Sequence, residues 1–336
     1  DLPIKTRYNM GFCSGPENSG ERVLNAAKDF AVSLKYFPTF GFFYSNSFSH
    51  DDVNMPSSMD NKIREFLEDQ EMQQALAESV VVYFSDHGFR FGNIRFTYSG
   101  WLEERLPFIF FSFPKRFRNN YSDLYKNFIF NAQSRLTTPY DVYMTLQHLL
   151  KLSNKNFTIS PAIGCEKSQS LFEPIKENRS CTDACIDRHW CTCGGYGRIS
   201  KTDTNVIKLS HFIVDEINSL ISSHKDGWRC QKYKLNKVVT VGKSESNIDN
   251  NEPEDVYLII LQTHPIAMFE ATVKLQTNPQ SMTLLGEISR VNQYGADSNC
   301  VKNDRLRKYC FCDSWTNKIQ SGLCSLISSV LSVECS

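Results

Sequence analysis

The uneven distribution of cysteine most constrains how this chain folds. Only Cys13 lies in the first 164 residues, and the other eleven of the twelve cysteines follow. Five of these fall between Cys165 and Cys193, and six fall between Cys230 and Cys335. Two such clusters, in a chain whose total of twelve cysteines is even, are typical of disulfide frameworks formed in an oxidising compartment. The sequence therefore predicts a cysteine-poor first part, followed by a part that disulfides cross-link.

Three N-glycosylation sequons agree with a secreted or lumenal protein. Their acceptor residues are Asn120, Asn156 and Asn178, each with Ser or Thr two positions later. A zinc site is the alternative to disulfides, because Cys and His also bind zinc. The candidate zinc ligands are Cys181, Cys185, Cys191, Cys193 and His189. Their spacing departs from the Cys-x2-Cys pairs that are usual in zinc sites. We expect disulfides rather than zinc in this compartment.

Charge and hydropathy exclude two classes of protein. Lys and Arg number 37, as do Asp and Glu, and this zero net charge argues against a protein that coats nucleic acid. The longest apolar run, Leu106–Pro114, is far shorter than the ~20 residues of a membrane-spanning helix. The chain starts at Asp1 without an initiator Met or a signal peptide. We therefore expect either a processed protein or an internal piece of a longer one, with any signal or membrane anchor upstream.

Residues 1–153 alternate between extended and helical patterns. Short apolar runs predict buried strands at Thr39–Tyr44, Val80–Phe84 and Leu106–Phe113. Helical spacing, with start signals at Asn18-Ser19 and Thr138-Pro139, predicts helices at Glu21–Tyr36, Asp60–Ala77 and Thr138–Leu150. Continuous apolar strands separated by helices are typical of an α/β fold with a parallel or mixed sheet covered by helices.

The rest of the chain predicts a different architecture. Residues 154–200 combine cysteines and two sequons with few periodic runs, which indicates a disulfide-stapled region. Residues 201–336 predict an α+β module with a helix at Asn205–Ser222 and antiparallel strands at Val256–Leu261, Phe269–Leu275 and Met282–Val291. In the middle strand the apolar residues alternate with Glu270, Thr272 and Lys274, so we expect these three to face water.

The sharpest candidate site is Ser85-Asp86-His87-Gly88, directly after the predicted strand Val80–Phe84. Ligands of parallel α/β sheets bind outside the carboxyl ends of strands. Asp and His suit a divalent metal, and Gly permits a tight turn beside it. His50 follows the predicted strand Thr39–Tyr44, and it reaches the same edge if the two strands are neighbours. Asp86 and His87 are thus predicted metal ligands. His50 binds an oxyanion or a second metal, or else lies on a solvated loop.

These motifs resemble those of the alkaline phosphatase superfamily, which includes sulfatases, nucleotide pyrophosphatases and lipid-linked phosphoglycerol and phosphoethanolamine transferases. Phe84–Gly88 is similar to the superfamily's metal-binding turn. Gly100–Pro107, before an apolar strand, resembles the sulfatase pattern of Glu, a few residues and Pro. Thr138–Leu146 resembles the Asp-Ile-x-Pro-Thr-Leu helix. With Ser170–Ile175 and Trp190–Cys193, the ordered motifs resemble an uncharacterised animal branch over roughly residues 30–200.

The resemblance implies an extracytoplasmic, metal-dependent hydrolase or transferase of phosphate or sulfate esters. Its substrate would be a phosphorylated or sulfated glycan or lipid. Asp86 and His87 would hold a divalent metal (Zn, Ca, Mn or Mg), which polarises the ester oxygen. His50 and Arg90 would bind the anionic group, although a surface ion pair is the alternative for Arg90. Residues 1–153 would form the C-terminal part of the superfamily's α/β domain.

The nucleophile of the superfamily is the missing part of the pattern. It is a Ser, a Thr or a cysteine-derived residue that lies well upstream of the metal-binding turn. The residues before Asp86 include no convincing strand–turn–helix that carries one. The resemblance therefore implies that the nucleophile-bearing N-terminal half is absent, and that this chain alone is inactive. The alternative is a catalytically silent, secreted binding module on the same fold.

Overall fold

The computed structural model contains both α-helices and β-strands. It describes residues 13–14, 17–50, 52–245, 255–277 and 280–313. The helices in these ranges are α1 (Ser19–Ser33), α2 (Asp60–Glu68), α3 (Gln70–Leu76), α4 (Tyr98–Arg105), α5 (Lys115–Asn120), α6 (Ser122–Ser134), α7 (Pro139–Ser153), α8 (Thr204–Ser223) and α9 (Asp304–Arg307). The strands are β1 (Cys13–Ser14), β2 (Glu17–Asn18), β3 (Val81–Phe84), β4 (Ile109–Ser112), β5 (Tyr196–Arg198), β6 (Lys234–Ser244), β7 (Asp255–His264), β8 (Met268–Thr277), β9 (Gln280–Leu284) and β10 (Ser289–Arg290).

The described residues form two compact units, and the segments of the two units alternate along the chain. The first unit takes the described residues up to 89, then 106–162 and 168–177. The second takes 90–105, 163–167 and the described residues from 178 onward. The predicted mixture of helices and sheets with a disulfide-rich C-terminal region is confirmed. In the described ranges, no helix combines the length and apolar character needed to cross a membrane.

The first unit is built around two strands and an aromatic cluster. β3 and β4 pair antiparallel, with Val81 opposite Ser112 and Phe84 opposite Ile109. Phe113 follows β4 and is buried. Its ring lies 4.8 Å from that of Phe128 in α6 and 5.9 Å from that of Phe172, between ring centroids. The cluster thereby holds α6 and the segment around residue 172 against the end of β4.

The parallel sheet that the sequence predicts is not found among the described residues, where every strand pair is antiparallel. A parallel pair needs a crossover that returns along the sheet. The connection from β3 to β4 instead contains residues 90–105, which belong to the second unit. Residues 39–44, predicted as a strand, form no regular element, and Phe40 is 80% exposed.

The second unit contains an antiparallel sheet in the order β10–β8–β7–β6–β5, with β9 also paired to β8. α8 supplies a fully buried apolar stripe that includes Leu209, Ile213 and Ile217. This stripe shares one core with Ile259 of β7 and Phe269 of β8. The predicted helix and the predicted antiparallel strands Val256–Leu261 and Phe269–Leu275 are therefore confirmed, whereas the predicted strand Met282–Val291 is divided between β9 and β10.

Two of the three β8 side chains predicted to face water, Glu270 and Thr272, are buried instead, whereas Lys274 is partly exposed. Glu270 and Thr272 are 0% and 1% exposed. Arg105 Nη2 lies 2.7 Å from one carboxylate oxygen of Glu270, and Arg95 Nη2 lies 3.2 Å from the other. Both arginines come from residues 90–105 of the same unit, and Arg105 also binds Glu104 at 2.8 Å. We call Arg95, Glu104, Arg105, Glu270 and the adjacent His189 the buried ion network.

Burial and the nearby arginines shift the pKa values of Glu270 and His189 in the buried ion network. Burial by itself raises the pKa of the Glu270 carboxyl, but the charges of Arg105 and Arg95 and the hydrogen bond from Arg105 lower that pKa. Burial lowers the pKa of His189 to about 4, and the two arginines add to that effect. His189 is therefore neutral at physiological pH, with Nδ1 2.8 Å from the Thr272 hydroxyl. The network thus places two cations against two carboxylates, which is the condition under which buried charges are tolerated.

Candidate metal-binding site

The predicted Ser85–Gly88 motif forms a hydrogen-bonded turn at the end of β3. The Ser85 backbone N–H donates to the Phe108 carbonyl at 3.1 Å, which extends the pairing of β3 and β4 by one residue. The Ser85 hydroxyl donates to the His87 carbonyl at 2.7 Å. The His87 backbone N–H donates to Asp86 Oδ1 at 3.0 Å. These bonds fix the backbone that carries both predicted metal ligands.

The ring of His87 is oriented by a carbonyl group. His87 Nδ1 lies 2.6 Å from the Gly88 carbonyl oxygen. A carbonyl can only accept a hydrogen bond, so Nδ1 is the donor in this contact. In a neutral ring the lone pair is then on Nε2, as it is in metal-binding histidines whose other nitrogen donates to a backbone carbonyl.

The two predicted ligands present their donor atoms together. His87 Nε2 lies 3.6 Å from Asp86 Oδ2, and the two side chains are 32% and 58% exposed. Donor atoms that share one zinc ion lie at most about 4.3 Å apart, because Zn–N and Zn–O distances are about 2.0–2.2 Å. A carboxylate and an imidazole, partly open to solvent at this separation, fit a divalent metal.

Asp86 and His87 supply only two ligands, whereas catalytic zinc sites usually have three from the protein. Within the described ranges, groups of three close Cys, His, Asp or Glu ligand atoms occur at Cys181, Cys191 and Cys193 and at Cys300, Cys310 and Cys312. Neither group includes the turn after β3. Any third protein ligand therefore has to come from a different part of the protein or from a rearranged side chain.

The other two predicted site residues lie elsewhere. His50 is exposed at the end of a turn, and the strand that would bring it to the edge of a sheet is not formed. Arg90 is exposed in the second unit, where its charge acts on the Glu104 carboxyl. The structure brings Asp86 and His87 together, and the roles of His50 and Arg90 stay predictions.

An exposed aromatic patch surrounds the end of β3. It consists of Phe42, Tyr83, Phe84, Phe108 and Phe110, all in the first unit. The rings of Phe42 and Phe84 have centroids 6.4 Å apart, and those of Tyr83 and Phe108 are 5.2 Å apart. Phe110 is 65% exposed although it lies within a strand. Tyr83 and Phe110 lie on one face of the β3–β4 pair and Phe84 lies on the other, because successive side chains of a strand point to opposite faces. Exposed apolar surface of this kind marks faces that contact another molecule or another part of the chain.

All three predicted glycosylation sites are accessible. Asn120 is the exposed last residue of α5, and Asn156 and Asn178 lie in exposed turns. We expect each to carry a glycan in protein from a eukaryotic secretory host. Peptide-N-glycosidase treatment would convert the three Asn to Asp, which peptide mass spectrometry detects. The same sites in bacterially expressed protein are the control, and unmodified Asn in both samples would contradict the prediction.

The disulfide prediction is confirmed for eight cysteines. The bonds join Cys165 to Cys185, Cys181 to Cys191, Cys230 to Cys310 and Cys300 to Cys312. These pairings use three of the four cysteines of the alternative zinc site, and its His189 belongs to the buried ion network. Four disulfides fit a protein of the secretory pathway. Among the described cysteines Cys193 is a free, exposed thiol.

The buried ion network is the feature that sequence reasoning missed. Arg95 and Glu270 are 175 positions apart, so no spacing rule connects them. The one available signal was Glu104-Arg105 next to Trp101, since charged residues beside large apolar ones indicate a partly buried helix. The arginine of that pair lies 4.8 Å from the Trp101 ring.

Of three comparisons with known proteins, one found a match. No curated protein and no solved structure matches the chain. A family model does match, over residues 2–239, and this stretch includes Asp86, His87 and Cys193. The chain belongs to the family described as "Protein of unknown function (DUF229)".

Proposed function

We propose that this protein is a metal-dependent hydrolase or transferase of phosphate or sulfate esters, of the alkaline phosphatase and sulfatase type. The observation that carries the proposal is the donor pair Asp86 Oδ2 and His87 Nε2, 3.6 Å apart at the end of β3. The resemblance of the flanking motifs to those of sulfatases supports the same chemistry. A divalent metal at this pair supplies Lewis-acid polarisation of an ester oxygen.

The protein's own groups have distinct roles in this proposal. The Gly88 carbonyl orients the His87 ring through Nδ1, which would leave Nε2 as the nitrogen that binds a metal. Ser85 is not the nucleophile, because its hydroxyl already donates to the His87 carbonyl and stabilises the turn. The roles of Arg90 and His50 in binding the phosphate or sulfate group stay predictions from the resemblance.

The nucleophile and the remaining metal ligands belong, in this proposal, to polypeptide that precedes the sequence. Within the described ranges β3 and β4 form a sheet of two strands, and such a pair is marginally stable by itself. The aromatic patch leaves this sheet with exposed apolar side chains. Further parallel strands beside β3 would end next to Asp86 and His87, and the helices that connect such strands would cover the aromatic side chains on the faces of the sheet.

The test is hydrolysis by the natural-length protein before and after metal removal. Protein purified from its native source is assayed with 4-nitrophenyl phosphate and 4-nitrophenyl sulfate. It is then dialysed against EDTA, or against buffer alone as the control, and Zn, Mn, Ca or Mg is added back. We expect one ester to be hydrolysed, the activity to disappear with the metal, and one of the four ions to restore it.

Two results would contradict the proposal. One is hydrolysis that continues at full rate in metal-free protein. The other is a native protein whose intact mass and N-terminal sequence show nothing before Asp1 and which hydrolyses neither ester. The second result would favour the catalytically silent binding module instead.

A further inference from the structure

Three sulfur atoms meet in the second unit, and only two of them are bonded. Cys181 and Cys191 form a disulfide, and Cys193 is a free thiol among the described cysteines. Cys193 Sγ lies 3.6 Å from Cys181 Sγ, which is close to van der Waals contact. All three Sγ atoms lie within 4.8 Å of one another. Exchange needs the attacking sulfur close to the disulfide, and Cys193 meets this distance requirement. The attack also needs the Cys193 side chain to turn into line with the Cys181–Cys191 bond, because the three sulfur atoms are not collinear.

The backbone holds Cys181 where either neighbour can reach it. The Cys181 carbonyl accepts the Ile186 N–H at 2.8 Å, and the adjacent Cys185 is tied to Cys165 by its own disulfide. Cys191 and Cys193 are separated only by Thr192, so their Cα atoms are at most about 7 Å apart. The Cα atoms of Cys181 and Cys191 are 6.0 Å apart, inside the usual range for a disulfide. A small movement of residues 191–193 therefore suffices to exchange one partner for the other.

We propose that Cys181, Cys191 and Cys193 form a thiol–disulfide exchange site, in which Cys181 changes partner between Cys191 and Cys193. The Cys193 thiol loses its proton to solvent, and the thiolate attacks Cys181 Sγ. The Cys193–Cys181 bond forms as the Cys181–Cys191 bond breaks, and Cys191 leaves as a thiolate that takes up a proton. One disulfide and one thiol are present before and after, so no oxidant or reductant is consumed.

The exchange moves the free thiol from an exposed to a buried residue. Cys193 is exposed, whereas Cys191 is 3% exposed. Reagents and other proteins therefore reach the thiol in one form and not in the other. His189 and Trp190 directly precede Cys191, and the His189 carbonyl accepts the Arg105 Nε–H at 3.2 Å. Partner exchange thus acts on a segment that contacts the buried ion network.

The experiment maps the bonds in the full-length protein. Samples are quenched in acid, alkylated with N-ethylmaleimide in guanidinium, digested with pepsin without reduction and analysed by mass spectrometry. In the unmodified protein we expect alkylated Cys193 together with a fraction of alkylated Cys191, and that fraction is matched by a Cys181–Cys193 linked peptide. Alkylation of Cys193 alone would overturn the proposal.

A variant tests the second pairing directly. Cys191→Ser is expected to form the Cys181–Cys193 bond and to lose every alkylatable thiol in residues 165–193. Its matched control, Cys193→Ser, is expected to keep the Cys181–Cys191 bond and also to show no thiol there. Two alkylated thiols, at Cys181 and Cys193 of Cys191→Ser, would overturn the proposal. The unmodified protein decides the question if Cys191→Ser is not secreted.

Discussion

Replacing Glu270 by Gln is expected to lower the free energy of unfolding by about 3–5 kcal/mol. Gln has nearly the same size and still forms hydrogen bonds, so the substitution removes charge rather than volume. Arg95 and Arg105 contact the Glu270 carboxylate at 3.2 and 2.7 Å, and all three side chains are fully buried. Without that charge, Glu104 alone would face two buried guanidinium groups, and no solvent is present to compensate them.

Urea unfolding followed by tryptophan fluorescence measures this loss, because the Trp101 and Trp190 rings lie 4.8 and 5.1 Å from the Arg105 guanidinium. Glu287→Gln is the matched control. Glu287 forms an ion pair with Lys308 at 3.2 Å, but its side chain is 83% exposed. Such a pair is worth less than about 1 kcal/mol. Equal losses in the two variants would show that the buried ion network does not stabilise the second unit.

Replacing Asp86 or His87 by Ala in the natural-length protein is expected to abolish metal binding and hydrolysis together. Each substitution removes one of two donor atoms that lie 3.6 Å apart. Loss of an outer-shell partner alone costs about 10–100-fold in metal affinity or activity, so loss of a ligand should cost at least about a hundredfold. Both side chains are partly exposed, so we expect little change in stability.

The measurements are bound metal, by elemental mass spectrometry, and the rate of ester hydrolysis. Asp123→Ala and His211→Ala are matched controls, because both residues are exposed on helices. They should retain metal and activity. Full activity in both Asp86→Ala and His87→Ala would exclude the turn after β3 as the metal site, whatever reaction the protein catalyses.

Helix starts show how much of the fold is local. Asn18 accepts the Glu21 N–H at 2.7 Å and begins α1, as its residue type predicts. Thr138 likewise begins α7, whose first residue is Pro139. These signals need no information from the rest of the chain, which is why sequence reasoning located both helices.

The same rule explains an error. The sequence predicts one helix over Asp60–Ala77, but the structure has α2 and α3 with a break at Asp69. The Asp69 carboxylate accepts the Met72 N–H at 2.9 Å and begins a second helix. Aspartate is as good a start signal as asparagine. The spacing of apolar residues alone does not reveal that a second helix begins at Asp69.

Strand pairing and burial depend on distant residues and were harder to predict. Val81–Phe84 and residues 39–44 are both apolar runs, yet only the first has a strand partner in the described ranges. Alternation in β8 correctly separates two faces, but it cannot show that arginines cover the face with Glu270. At the candidate site, Asp86 and His87 were predictable because they are adjacent. The role of the Gly88 carbonyl was not, since it follows from the fold of the turn.

The interleaving of the two units has a consequence for the order in which the protein is made. Arg95 and Glu270 are 175 positions apart. At about 5–20 residues per second, the ribosome adds Glu270 roughly 10 to 35 s after Arg95. The first unit can begin to fold during that interval. Arg95 and Arg105 still lack their partner Glu270 of β8 at that time. For the same reason, a recombinant fragment that starts at residue 178 would contain Glu270 without either arginine, and it should be insoluble unless residues 90–105 are supplied as a separate peptide.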